Sequence, residues 1–177
     1  DFMYKTNVDS AYRKTKLQQA NTLEDMVNIL SELPLEFSPG DQWNYSVSTD
    51  VLGYLVEVLS GMKLDVYFKK NIFEPLEMID TDFSCPENKK DRLAALYEHN
   101  PKGEPRLLEI PFLNTRLHSG GGGLFSTMSD YYNFCSMIIG QGEFNGKRII
   151  GRKTIELMSC NHLPDGQDLT EMSESAF

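Results

Sequence analysis

Cysteine, basic side chains and long apolar runs are all scarce in this sequence, and each shortage removes a class of protein. Cys85, Cys135 and Cys160 are the three cysteines among 177 residues. They match neither an even-numbered disulfide framework nor a zinc pattern. His99, His118 and His162 have no cysteine or histidine at ligand spacing, so no metal and no cofactor are expected. Lysine and arginine number 17 against 26 acidic residues, a net charge of −9. That balance argues against nucleic acid and against an anionic membrane surface. No run of about 18 apolar residues occurs, so no membrane span is expected. No basic-then-apolar leader follows Asp1, and the compartment stays open between cytoplasm and periplasm or secretion. What is present is ordinary: 40% hydrophobic residues, enough for a core, in a length that suits one domain or part of a larger one.

The stretch from Ser38 to Gly61 carries the most information. Pro39-Gly40 forces a turn, because proline presets φ and glycine accepts a positive one. Trp43 and Tyr45, two residues apart, would share a face of an extended segment. Ser48 and Asp50 stand where a helix begins, Val51, Leu52, Leu55 and Leu59 continue at helical spacing, and Gly61 stops it. The spacing therefore predicts a tyrosine on a tight turn just ahead of an amphipathic helix over about 48–60. Asn44-Tyr45-Ser46 also fits the glycosylation triplet, a weak match that would block any cleft at the tyrosine.

Around that stretch the pattern is mostly helical. A surface helix is expected near 9–19. Thr22 reads as an N-cap, with Glu24 and Asp25 favoured by the helix dipole and Met26, Val27, Leu30 and Leu33 forming a stripe that ends at Pro34. Leu64 to Phe73 reads as one helix closed by Pro75, and Thr81 to Asp91 as loop. Arg92–Glu98, the Asn100-Pro101-Lys102-Gly103 turn and Arg106–Ile110 predict a β-hairpin. His118-Ser119-Gly120-Gly121-Gly122-Gly123 permits unusual backbone angles and close backbone approach. It leads into a helix capped by Ser126 or Thr127, with Asp130 in the first turn and Tyr131, Phe134, Cys135 and Ile138 inward. A phosphate-binding loop does not fit, because Gly146-Lys147 is followed by Arg148 with no glycine at the required spacing before it, and a dinucleotide fingerprint does not fit, because Phe125 stands where the third glycine would be. Gly140, Gly142 and Gly146 punctuate a link to a last helix near 152–160, with Thr154, Ile155, Leu157 and Met158 inward.

The run PGDQWNYSVSTDVLGYLVEVLSG, followed by FKKNIFEPLEMIDTDF, HSGGGGLFSTMSDYYNF and GKRIIGRKTIELM, resembles the serine β-lactamase-related hydrolases over about residues 35 to 165. These comprise class C β-lactamases, DD-peptidases and family VIII esterases. The resemblance implies a serine of a Ser-x-x-Lys motif that attacks a carbonyl and forms an acyl-enzyme, with lysine and tyrosine sharing the proton transfers. It implies that Tyr45 is the general base. A phenol can serve so only when a nearby ammonium lowers its pKa from about 10. The resemblance also suggests that the Gly120–Gly123 turn, through Gly121 and Gly122, binds substrate near Tyr45.

Three departures refine this. Val47 replaces the asparagine two residues after the tyrosine, and valine cannot hydrogen-bond a substrate amide. That favours an ester-cleaving enzyme of family VIII type over a β-lactamase or DD-peptidase. No Lys-Thr-Gly or Trp-Gly-Gly triplet occurs. Ser60-Gly61-Met62-Lys63 is the sole Ser-x-x-Lys, but it follows the tyrosine and Gly61 breaks the turn that would align its ends. It reads as a decoy, with the nucleophile expected upstream of Asp1. Residues 1–177 are thus expected to be a mainly α fragment with a small β-hairpin. They would be the helical lobe of the α+β β-lactamase/transpeptidase-like fold, inactive by themselves and exposing an apolar face. The expected substrate is a small ester or amide. A catalytically silent relative serving as a binding or assembly module is the alternative from another class.

Overall fold

The computed structural model describes residues 7–15, 17–101, 103–108 and 116–168. Helix α1 spans Asn7–Lys14 and a separate 3-10 turn covers Leu17–Gln19, so the single helix expected near 9–19 is divided. Helix α2 (Leu23–Ser31) begins as its sequence dictates, with Thr22 Oγ1 accepting from the Asp25 N–H at 3.0 Å. The Ser38–Asp41 turn closes through Asp41 N–H to Ser38 O at 3.1 Å, with Gly40 at φ +98°, which only glycine holds without strain. Helix α3 runs Ser48–Ser60, and Gly61, at φ +67°, ends it by donating to Glu57 O. This left-handed stop is what the sequence called for.

The helix expected over Leu64–Phe73 changes winding midway. α4 covers Leu64–Phe68 and a wider π turn covers Lys69–Phe73, where Glu74 N–H reaches Lys69 O at 2.9 Å. Five residues apart, Phe68 and Phe73 would lie on different sides of an α-helix. The wider turn lets them meet edge to face, with ring centroids 5.9 Å apart. Phe68 thereby joins two small cores. One is Leu23, Leu64 and Phe83. The other is Phe73, Leu76, Met78, Met137 and Ile155.

Phe134, Ile138, Phe144, Ile149 and Ile150 of the later elements pack against the second core. Residues read as loop include a 3-10 helix, Glu87–Arg92, so the expected hairpin loses its first residues. Strand β1 (Leu96–Glu98) pairs antiparallel with β2 (Arg106–Leu108), Tyr97 opposite Leu107; Ile110 and Lys102 lie outside the described residues. Helix α5 (Met128–Ile139) is capped by Thr127 Oγ1, which accepts from Asp130 N–H at 3.2 Å. Its buried apolar residue is Met137, with Phe134 and Ile138 packed beside it. Tyr131, expected inward, is exposed. A second hairpin, β3 (Glu143–Phe144) and β4 (Lys147–Arg148), turns through Asn145 at φ +48° and Gly146 at φ +74°. That is the two-residue turn whose positive angles suit Asn-Gly. Helix α6 (Arg152–Met158) buries Ile155 but leaves Leu157 and Met158 exposed, against expectation, because one side of this short helix meets the core.

Helix α3 presents the exposed apolar face expected of these residues and buries a small and an acidic residue instead. Its apolar stripe of Val51, Leu52, Leu55, Val58 and Leu59 is 40–78% exposed, while Asp50 and Gly53 are buried. No helix among the described residues is long and apolar enough to cross a membrane.

Candidate active site

Tyr45 lies on the irregular segment between the Ser38–Asp41 turn and α3, and 74% of it is exposed. Trp43, expected on the same face, is half-buried, so the two rings meet different surroundings. The segment is fastened to the helix start at several points. Ser48 N–H donates to Ser46 Oγ at 3.2 Å, and the Val47 carbonyl accepts from Asp50 N–H at 3.0 Å and Val51 N–H at 3.3 Å. The backbone two to five residues beyond Tyr45 is therefore part of a rigid first helical turn.

The glycine-rich loop sits directly on that turn. Asp50 Oδ1 accepts from Ser119 Oγ at 2.5 Å and from Gly121 N–H at 3.3 Å, while Gly121 N–H also reaches Ser119 Oγ at 3.1 Å. A Cβ at Gly120 would lie 2.2 Å from the Thr49 carbonyl oxygen, and one at Gly53 would lie 3.2 Å from Gly120 Cα. Two backbones touch here because both lack a side chain. Next in the chain before Ser119, His118 stacks on Phe83 with centroids 4.9 Å apart and places Nδ1 3.1 Å from Asp65 Oδ1. Gly121 is thus engaged through its N–H. A Cβ at Gly122 would meet nothing within 4 Å, so that position faces open space.

Ser60 and Lys63 are not brought together as a nucleophile and base. Ser60 Oγ accepts from Met62 N–H at 3.1 Å, and Lys63 Nζ pairs with Glu57 Oε2 at 3.1 Å. The Glu57 carboxylate holds the Lys63 ammonium above its ordinary pKa, the reverse of what a base requires. Its other oxygen accepts from Leu64 N–H at 2.9 Å and so begins α4. These contacts make the pair a helix junction.

Away from Tyr45, a cleft of about 480 Å³ is lined by residues including Met78, Asp80, Cys85, Lys89, Arg92 and Phe125, with Tyr45 not among its walls. Arg92 and Lys89 bracket Asp80 at 2.8 and 2.6 Å. Hydrogen bonds from the two cations hold the Asp80 carboxyl down to about 2. Asp130, anticipated as a first-turn acid of α5, is buried and accepts from Asp80 N–H at 2.8 Å and Thr81 Oγ1 at 2.7 Å. It joins α5 to the chain after the π turn.

The sequence does not mark Asp50 and Ser119 as partners. An acid in a first turn reads as a dipole partner facing water, and nothing local announces an acceptor for residues 69 and 71 positions away.

Residues 4–171 match the family model described as Beta-lactamase. An uncharacterized protein of Mycobacterium tuberculosis is 32% identical over 146 residues, which cover 78% of this chain and 35% of that protein. Lovastatin esterase of Penicillium rubens is 31% identical over 134 residues, covering 70% of this chain and 33% of the esterase. Among solved structures, simvastatin synthase (LovD) from Aspergillus terreus superposes with a TM-score of 0.73 at 22% identity, over 93% of this chain and 41% of that one; the likeness is one of fold. The chain spans about a third of the length of these curated relatives.

Proposed function

The chain belongs to the beta-lactamase family, a family of serine hydrolases, and from that membership we propose that the whole protein is a carboxylesterase of family VIII type with Tyr45 as its general base. The observation that carries this reading is the placement of Tyr45: an unobstructed phenol on a segment fastened to the first turn of α3. A serine and a lysine supplied by residues outside these 177 complete the site. The serine hydroxyl adds to the ester carbonyl as its proton passes to the Tyr45 phenolate. Collapse of the tetrahedral intermediate expels the alcohol, which takes that proton from Tyr45. Water then attacks the acyl-enzyme, again giving its proton to the phenolate; collapse of this second intermediate breaks the bond to the serine oxygen, which takes the proton back from Tyr45, and releases the carboxylic acid.

Val47 supports esters over amides. An alcohol leaves more readily than an amine, and valine offers no hydrogen bond to a substrate amide. Gly122, facing open space beside the clasped loop, is proposed to line the acyl pocket, and Gly121 to hold that wall in place. The exposed stripe of α3 supports a reading in which further chain of the same protein covers the helix. The test is to offer the full-length protein p-nitrophenyl butyrate and a fluorescent penicillin in parallel. Sustained ester turnover with a transient butyryl mass on a serine is expected. Penicillin labelling without ester turnover would identify a penicillin-binding protein instead, and neither signal would favour a silent module.

A further inference from the structure

We propose that Asp50 is a positioning residue for this reaction, fixing the spacing between Tyr45 and the Gly122 wall of the acyl pocket; the proposal rests on the Tyr45 reading above. A first-turn acid that served only the helix dipole would be left in water, yet Asp50 is 6% exposed. Burying a carboxylate is costly unless its oxygens are hydrogen-bonded. Here Oδ1 takes Ser119 Oγ and Gly121 N–H, both from the glycine-rich loop. The same residue is tied by its N–H to the Val47 carbonyl, two residues beyond Tyr45. One residue thus grips the tyrosine segment through its backbone and the loop through its side chain.

The glycines make the grip tight. Gly120 and Gly53 admit contact of the loop backbone with the first turns of α3, and a Cβ at Gly121 would meet Asp50 Oδ2 and Thr49 Oγ1 at 2.9 Å. Gly122, the next residue, is the first free of this packing. The clasp therefore decides where the open wall stands relative to the phenol. Loosening it shifts the carbonyl away from both serine and phenolate, and a displacement on the order of 1 Å at a reacting centre costs about 10²-fold in rate.

The experiment compares full-length wild type, Asp50→Asn, Ser119→Ala and Tyr45→Phe on p-nitrophenyl acetate, butyrate and octanoate, with deuterium exchange read at the 119–122 loop. Ser119→Ala removes one hydroxyl from a half-exposed loop and serves if Asp50→Asn does not fold. Folded clasp variants are expected to lose about 10- to 100-fold in kcat, change their preference among the three acyl lengths, and exchange faster at Gly121. A merely structural role would lower the unfolding midpoint but leave kcat and acyl preference per folded molecule as in wild type. That result, with Tyr45→Phe inactive, overturns the positioning role and leaves the Tyr45 reading standing. Full activity in Tyr45→Phe overturns both.

Discussion

Substituting alanine at Gly120 would set a methyl carbon 2.2 Å from the Thr49 carbonyl oxygen, 3.0 Å from its carbon and 3.1 Å from Asp50 Cα. All three are backbone atoms of α3, so no side chain can swing aside. Restoring ordinary contact at about 3.4 Å means moving loop and helix apart by more than about 1 Å. Overpacking of this kind costs about 1–3 kcal/mol. The same movement stretches the 2.5 Å Ser119–Asp50 bond, and losing a hydrogen bond to a charged group costs about 1.5–3 kcal/mol more. Gly120→Ala should therefore destabilise the full-length protein by about 3 kcal/mol or more. Gly122→Ala, with nothing within 4 Å of the new carbon, should stay within about 0.5 kcal/mol. Urea unfolding of the two variants side by side gives both values. Equal midpoints would refute the backbone contact, and with it the claim that the loop rests on the tyrosine helix.

Gly122→Tyr should fold, because the position opens on free space, yet shrink the acyl pocket. Activity on p-nitrophenyl octanoate should fall at least tenfold against acetate, a factor worth about 1.4 kcal/mol, and an unchanged ratio would remove Gly122 from the pocket. Asp80, its pKa held near 2 by Arg92 and Lys89, has a folded value below its unfolded one. Its stabilisation is present above about pH 4 and is lost as pH falls from there toward 2. Thermal unfolding of wild type and Asp80→Asn should accordingly differ at pH 6 and converge near pH 2; a constant gap would deny the carboxylate this role.

Signals that act within a few residues were legible in the sequence. Thr22 and Thr127 cap their helices, and Gly40 and Gly61 take the positive φ their turns require. The hairpin at Asn145-Gly146 goes beyond the sequence reading of a punctuated link: the dipeptide is a two-residue turn signature, but flanking strands of two residues each show no alternation. Helix α3 marks the boundary of what periodicity can say. Spacing places Val51, Leu55 and Leu59 on one face, but not what covers that face, and among the described residues it stands open. In the sequence Asp50 reads as a helix-start residue and Gly121 as a loop residue. Their hydrogen bond spans 71 positions, and only packing reveals it. The π turn at Lys69–Phe73 escaped for a similar reason, since the register of Phe68 and Phe73 answers to two cores at once.

The phenol of Tyr45 is the group on which the proposed reaction turns, and one rate measures it. In the full-length protein, kcat for p-nitrophenyl butyrate should drop about 10²- to 10⁴-fold on Tyr45→Phe, the range for loss of a positioned general base, with the fold intact by circular dichroism. A Tyr45→Phe enzyme that turns over within about twofold of wild type would contradict it.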